Sequence, residues 1–563
     1  IEYIEQPRVL TFTLDKSLSS SCVNSVKIAP YNLTGKGTIV AIIDSGINYT
    51  HKDFRNADGT TRILYIWDQT IEGNAPEGFL SGTVYTREDI NLALNERNPL
   101  NILPHTDDIG HGTAVAGIAC GNGASSNGRY TGIASESELI VVKLGERGRE
   151  SFARNTEIMR AIKFIIDKAI ELNMPVSINI SFGTNDGSHT GGSLFETYID
   201  DMSNIWKTAI CVATGNEGST SHHYENIIEE GKEITIEIET SSELSSLYIV
   251  LFKNFSDLFD INVIAPNGIE TGFINNSSSK GVYNFGDASL YINLGEPVPY
   301  TLEQGVFFEI ISNQNKLQQG IWKIVILGRN IVQGRFDIWL PVTEVSSRNT
   351  KFLRPSSNTT LTIPSTATNV ITVGGYNSLT NSIADFSGRG FTRNNQIKPD
   401  IVAPAVNITT TSNFLGYDTL SGTSFATPFV TGACALLMEW GIVNFNDLFL
   451  YGERLKAFLR LGARRTQNLT YPNEEWGFGS LCVFETLRFL ELYKEPISIN
   501  SIEKIVKKME VGNIENNEDE DIFYSEDYAA FLAEFNSVTI NAIQNYDYIK
   551  MCRLISGGFV VLY

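Results

Sequence analysis

Short apolar runs alternate with amphipathic stretches between residue 37 and about residue 219, in the order TIVAIID, HGTAVAGIA, LIVVKLG, TEIMRAIKFIIDKAIEL, PVSINISFG and AICVATGNEG. Continuous β-branched runs read as strands buried on both faces, and the longer segments carry the helical period, so the pattern predicts a doubly wound parallel α/β sheet. Ligands and chemistry belong at the carboxyl ends of such strands. From about residue 220 the helical period disappears. EITIEIET, SLYIVLF, DINVIAP, GVYNFG, GIWKIVILG and RFDIWLP are strands separated by Gly, Asn and Pro turns, which predicts an inserted β-sandwich of jelly-roll type. The α/β alternation resumes with NVITVGGY, KPDIVAPA and a helix after Ser424, so the insertion interrupts one domain rather than separating two. Beyond about Phe484 come two helical patterns, an acidic Asn-rich stretch at 515–521 that reads as a solvated linker, and a small α+β C-terminal segment. These shifts divide the chain into an N-terminal segment 1–22, a core 23–219 and 346–485, an insertion 220–345, a linker 486–523 and a tail 524–563.

Composition sharpens this outline. A chain of 563 residues with 42% hydrophobic content can bury more than one core. Its formal charge of -21 repels phosphate backbones and anionic lipid, so neither nucleic acid nor a membrane surface is an expected partner. The chain contains no run of about 20 apolar residues, and it opens IEYIEQPRVL without Met or a charged-then-apolar leader. A soluble, processed or trimmed protein is expected. Cys22, Cys120, Cys211, Cys434, Cys482 and Cys552 form no C-x-x-C pair. Most are expected to be small buried apolar residues, and their even count leaves disulfide pairing open.

Three residues carry candidate chemistry. Ser424 in SGTSFATP follows Gly422 at the start of a predicted helix, where the helix dipole favours developing negative charge. Of six histidines, His111 alone is framed by small residues, GHGTAVAGIA, on a helix that can press against a neighbouring backbone. Asp44 ends the apolar run TIVAIID, which places a carboxylate at the carboxyl end of a buried strand. Taken singly, each has a plainer explanation, as a cap, a lone histidine or a turn residue. Together DSGI, GHGTAVAG, ATGNEG and GTSFATP run in the chain order Asp, His, Asn, Ser, which is the subtilisin order and differs from those of chymotrypsin and the α/β-hydrolases.

On these motifs the chain resembles the subtilisin-like serine peptidases over about residues 23–219 and 350–484. The resemblance implies that Asp44 orients His111, that His111 is general base and then general acid, and that Ser424 is the nucleophile. It further implies that Asn216 offers its amide to the oxyanion beside the backbone N–H of Ser424. Ser181, Phe182 and Gly183 of ISFG and Gly148 of LGERG match the two segments that bracket an extended substrate, joined by Thr214 and Gly215 of ATGNEG. Glu217, Arg147 and Arg149 are expected to tune the pocket. Subtilisins often carry calcium, but CGNGASSNGRYTGIA lacks carboxylates and Asp53 of HKDF is a single resembling ligand, so no metal and no cofactor is expected.

The long insertion, RFDIWLP and FLRPSSNTTLTIPSTATNVITVGGY together resemble the clostridial spore-germination proteases called Csp. That likeness implies a spore protein that activates a cortex-lytic zymogen by limited proteolysis. Some Csp relatives lack triad residues, whereas this chain keeps all three. IEYIE resembles the last strand of a subtilisin propeptide, while AAFLAEFN, a helix over about 538–544 and RLISGGFVVLY resemble its first half. The implied partner is the chain's own propeptide or that of a tandem module. Two alternatives stand beside the enzyme: a catalytically silent or autoinhibited binding or signalling protein, and a secreted or cell-envelope general protease.

Overall fold

A computed structural model describes residues 18–144, 154–241, 243–275, 280–297 and 302–493, with the strand pairs 553–554 and 560–561. The propeptide-like N-terminal strand, the expected helix over 538–544 and the loop bearing Arg147, Gly148 and Arg149 lie outside these residues. Of the C-terminal segment, Arg553–Leu554 and Val560–Val561 are described, as a short antiparallel pair.

Six strands precede the insertion: β1 (Ile39–Asp44), β2 (Ile63–Asp68), β3 (Thr83–Thr86), β4 (Glu138–Lys143), β5 (Val176–Ile180) and β6 (Thr208–Ala213). The insertion supplies β7 (His223–Ile227), β8 (Glu233–Thr240), β9 (Ser246–Asn254), β10 (Leu258–Ile264), β11 (Lys280–Asn284), β12 (Ala288–Leu294), β13 (Glu303–Ser312), β14 (Gly320–Asn330) and β15 (Arg335–Trp339). Then follow β16 (Lys351–Phe352), β17 (Ile371–Asn377), β18 (Ser382–Ile383), β19 (Ile401–Pro404), β20 (Ile408–Thr411) and β21 (Tyr417–Leu420).

The main sheet runs β18-β17-β6-β5-β1-β4-β2-β3, with β19 also paired to β17. Its centre is parallel, as the uninterrupted apolar runs predict. β3 and β18 close the two edges antiparallel, which local pattern did not announce. Every residue of β1 is buried, and successive side chains serve opposite faces. Val40 and Ile42 join the core beneath the helices His111–Cys120 and Thr423–Met438, whereas Ile39, Ala41 and Ile43 join the core beneath Asn155–Glu171 and Leu194–Ser203. This two-sided packing holds the carboxyl end of β1 still.

With its continuation to Val443, the helix from Thr423 is 21 residues long and contains an 18-residue window of mean hydropathy 1.4, enough to cross a membrane, yet 94% of that window is buried inside the protein. Its apolar faces are taken up by the sheet and by the helix His111–Cys120. Cys22 and Cys482 form a disulfide across 460 residues of sequence, so these two are not the packed apolar thiols that their scatter suggested. Cys120, Cys211 and Cys434 are free and buried, as small apolar residues would be.

β7 to β16 form two antiparallel sheets, β10-β14-β8-β16 and β11-β12-β13-β9-β15-β7. They enclose one core that includes Leu251, Phe259, Trp322 and Phe336. In β15, Phe336 and Ile338 face that core, while Asp337 and Trp339 turn toward the main sheet's loops. Trp339 is stacked between His189, centroids 4.0 Å apart, and His223, 4.8 Å apart, and its Nε1–H donates to Thr359 O at 3.1 Å. Arg393 donates to Asp337 Oδ2 at 2.6 Å and pairs with Glu303. Asn185 donates to Leu340 O at 2.9 Å, and Tyr248 donates to Asp186 Oδ1 at 3.3 Å. The insertion thereby grips the 185–189 loop.

Burial, with the neighbouring His223, lowers the pKa of His189 to about 4 and keeps its ring neutral. Between its ordinary 6.5 and about 4, the unfolded chain binds a proton that the folded chain refuses, so stability is complete above pH 6.5 and declines as pH falls toward 4. Urea midpoints measured across that window should fall, and more shallowly in His189→Asn, which cannot titrate and tolerates the left-handed backbone at φ 55°.

Candidate active site

Asp44 closes β1 with its side chain fully buried. Its Oδ1 accepts His111 Nδ1–H at 2.7 Å and Ser45 N–H at 2.8 Å, with Ser45 Oγ 3.2 Å away. Because a carboxylate offers only acceptors, Nδ1 carries the imidazole proton, which leaves Nε2 as the basic nitrogen. The ring is 27% exposed and lies against Phe425, 5.4 Å between centroids, at the first turn of the helix Thr423–Met438. An imidazole whose Nδ1–H is anchored on a dry carboxylate and whose Nε2 carries the basic lone pair suits a general base.

The helix His111–Cys120 begins behind Gly110, which has no side chain to cap it. Asp107 does that work: Oδ1 accepts Gly110 N–H at 2.9 Å and Ser45 Oγ–H at 2.8 Å, while Oδ2 accepts Thr113 N–H at 2.8 Å and its hydroxyl at 2.6 Å. Gly112 N–H donates to Ser45 Oγ at 3.0 Å. The helix can approach β1 this closely because residue 112 is glycine; a Cβ there would sit 2.1 Å from Gly46 O. Asp107 and Ser45 escaped the sequence reading, although an acidic residue three positions before a glycine N-cap is a recognisable helix-start signal.

Ser424 is half-buried in the first turn of the helix Thr423–Met438. Pro428, four residues on, has no N–H to return to Ser424 O. Ser181 Oγ–H fills the gap at 3.3 Å, and Ser181 Oγ itself accepts from Asn179 Nδ2 at 2.9 Å. Asn179 Oδ1 accepts Thr431 Oγ1–H at 3.0 Å, so β5 and the helix are tied at two heights. Asn216 Oδ1 accepts Thr423 N–H at 3.0 Å and its hydroxyl at 3.1 Å. That bond fixes the amide plane and turns Nδ2 toward Gly422, whose missing Cβ would lie 3.7 Å from it.

Ser181 and Phe182 are half-buried and Gly183 is exposed, so the 181–183 segment presents backbone at the surface. Thr214 is buried and accepts Thr362 N–H through its carbonyl at 2.9 Å. Gly183 and Gly215 both pack on Thr362: an added Cβ would meet its Oγ1 at 2.3 Å from Gly183 and its Cγ2 at 2.4 Å from Gly215. Thr362, absent from the sequence-derived set, thus joins the two segments.

One expectation is corrected. Glu217 does not face a pocket; it is buried, with Oε2 accepting from His222 at 2.9 Å and Thr220 at 2.9 Å and Oε1 accepting Thr343 N–H at 3.2 Å. Asp53 is a buried hydrogen-bond hub, accepting Ser125 N–H at 2.8 Å and Tyr417 O–H at 2.7 Å, one on each oxygen.

The subtilase family matches this chain over residues 35–289 and 342–479, a match interrupted within the insertion. The chain belongs to the subtilase family. The structure of the Clostridium perfringens CspB protease is 41% identical in sequence, with a TM-score of 0.78, and the likeness covers 85% of this chain and 99% of that one. The PII-type proteinase of Lactococcus lactis subsp. cremoris is 24% identical over 517 residues, 84% of this chain. The chain spans about a quarter of that relative, 26% of its length. A subtilisin from Bacillus sp. (strain TA39) is 32% identical over 185 residues, 33% of this chain and 35% of that protein.

Gly215→Ala forces a methyl group into Thr362 at a backbone φ of 84° and should lower stability by about 1–3 kcal/mol in urea unfolding. Combining it with Thr362→Ala should recover part of that loss, because the two side chains meet directly.

Proposed function

We propose that this protein is a serine endopeptidase in which Ser424 is the nucleophile, His111 the general base and acid, and Asp44 the group that orients and charge-stabilises His111. The observation that carries this reading is the 2.7 Å bond from His111 to a fully buried Asp44, beside the N-terminal turn that bears Ser424. Ser424 Oγ attacks the scissile carbonyl carbon as its proton passes to His111 Nε2, and the resulting imidazolium is held by Asp44. The tetrahedral oxyanion accepts from Asn216 Nδ2 and the Ser424 N–H, at a helix N-terminus whose dipole favours negative charge. His111 then protonates the leaving amine, and water hydrolyses the acyl-enzyme by the same route. An extended substrate pairs with Ser181, Phe182 and Gly183, above Thr214 and Gly215, and by the family resemblance with Gly148 as well. This chemistry uses protein groups throughout.

The natural substrate in this reading is a cortex-lytic zymogen of the spore, activated by limited proteolysis during germination, and the propeptide-like ends belong to the control of the cleft. The likeness to a CspB protease over nearly all of that chain supports it. The inserted unit is read as a jelly-roll sandwich that braces the loop following the substrate edge.

Ser424→Ala should abolish peptide cleavage and fluorophosphonate labelling while leaving the circular dichroism unchanged. An unlabelled, folded wild-type chain would instead favour a silent binding protein. Asn216→Ala should keep labelling but lower kcat by about 10² to 10³ with little change in KM, measured on a peptide substrate.

A further inference from the structure

A second Asp–His pair lies buried beside the first, and neither partner has a part in the proposed chemistry. His105 and Asp68 are both fully buried, with His105 Nδ1 2.6 Å from Asp68 Oδ2. Asp68 ends β2, and its other oxygen accepts Thr70 N–H at 3.0 Å and the Thr70 hydroxyl at 2.6 Å. Burial alone would raise the carboxyl pKa of Asp68, but the bonds from His105 and Thr70 outweigh it and hold the group below its ordinary range. On the far side of the ring, Ile47 N–H points at His105 Nε2 at 3.1 Å. An amide N–H only donates, so Nε2 must be the acceptor and the ring proton must sit on Nδ1, facing Asp68. One tautomer satisfies both neighbours.

Ile47 lies three residues after Asp44, and the turn between them is pressed against the same ring. Gly46 has φ 119°, and a Cβ there would fall 3.1 Å from both Cε1 and Nε2 of His105. Two residues after His105, Asp107 takes the Ser45 hydroxyl and caps the helix that begins with His111. Lys143 Nζ donates to Thr106 O at 2.8 Å and anchors the segment between them to β4.

We propose that His105, locked in its Nδ1–H tautomer by Asp68, is a positioning residue that sets the Asp44 carboxylate by holding the Ile47 N–H of the turn that follows it. The idea rests on the proteolytic reading for its kinetic arm, but its structural arm can be read without turnover.

Two polar substitutions separate the halves of the ring. His105→Asn reproduces the donor toward Asp68 and removes the acceptor for Ile47, whereas His105→Gln reaches the Nε2 position and restores that acceptor. Kinetic constants would be referred to active sites titrated with a fluorophosphonate, and the low-field proton resonance of the His111–Asp44 bond would be recorded on the same full-length samples. His105→Asn should lower kcat by about tenfold or more with KM within about twofold, and should move the resonance. His105→Gln should keep kcat within about threefold and leave the resonance in place. Asp68→Leu removes the acceptor that holds the ring proton on Nδ1, so the ring no longer keeps Nε2 fixed on the Ile47 N–H and the variant should behave as His105→Asn does without touching the turn itself. Equal constants and equal resonances in the Asn and Gln variants would overturn the proposal, as would a loss of kcat with the resonance unmoved. If the wild-type chain neither labels nor cleaves peptide, the proteolytic reading fails, and the resonance in the three variants still decides the role of His105.

Discussion

The hydrogen bond between Asp44 and His111 constrains the rest of the structure, because it must form where water cannot reach the carboxylate. A buried carboxylate without donors would be protonated or displaced, so Oδ1 gathers the imidazole N–H and the Ser45 amide. Reaching that state requires the helix of His111 to sit against the end of β1, and glycine at 112 makes the approach possible. The segment 105–113 carries the fastenings: Asp107 bonds both the turn after Asp44 and the first turn of the helix.

A similar economy governs the helix of Ser424. Pro428 leaves the Ser424 carbonyl without its helical donor, and the vacancy is filled by Ser181, which follows directly on β5. One serine hydroxyl therefore joins the segment implied to bind substrate to the turn implied to attack it. The chain then continues into the 185–189 loop, which the insertion grips through Leu340, Tyr248 and the sandwich of Trp339 between His189 and His223. The insertion is thus mechanically continuous with the candidate cleft, and the ionic cluster of Asp337, Arg393 and Glu303 fastens their junction.

Several features are legible in the sequence. Uninterrupted apolar runs such as TIVAIID could only be strands buried on both faces, and β1 is one. The loss of helical period after residue 220 marked two antiparallel sheets built on one core. Other features are not. Edge strands β3 and β18 are too short to carry a period, and their antiparallel sense follows from what lies beside them. Glu217 has the composition of a surface charge, and only His222 and Thr343 closing around it make it an interior one. The Cys22–Cys482 bond spans too much chain for spacing to suggest it.

By itself, then, the sequence determined the elements, the order in which Asp44, His111, Asn216 and Ser424 appear, and which of them end strands or begin helices, because periodicity and end signals are local. The tertiary structure decided which hydrogen bonds those side chains make. It chose the tautomers of His111 and His105, moved Asp53 and Glu217 into buried networks and brought Ser181 to the Ser424 carbonyl. Such choices depend on donors and acceptors distant in the chain, and a buried polar group takes whichever complementary partner packing delivers to it.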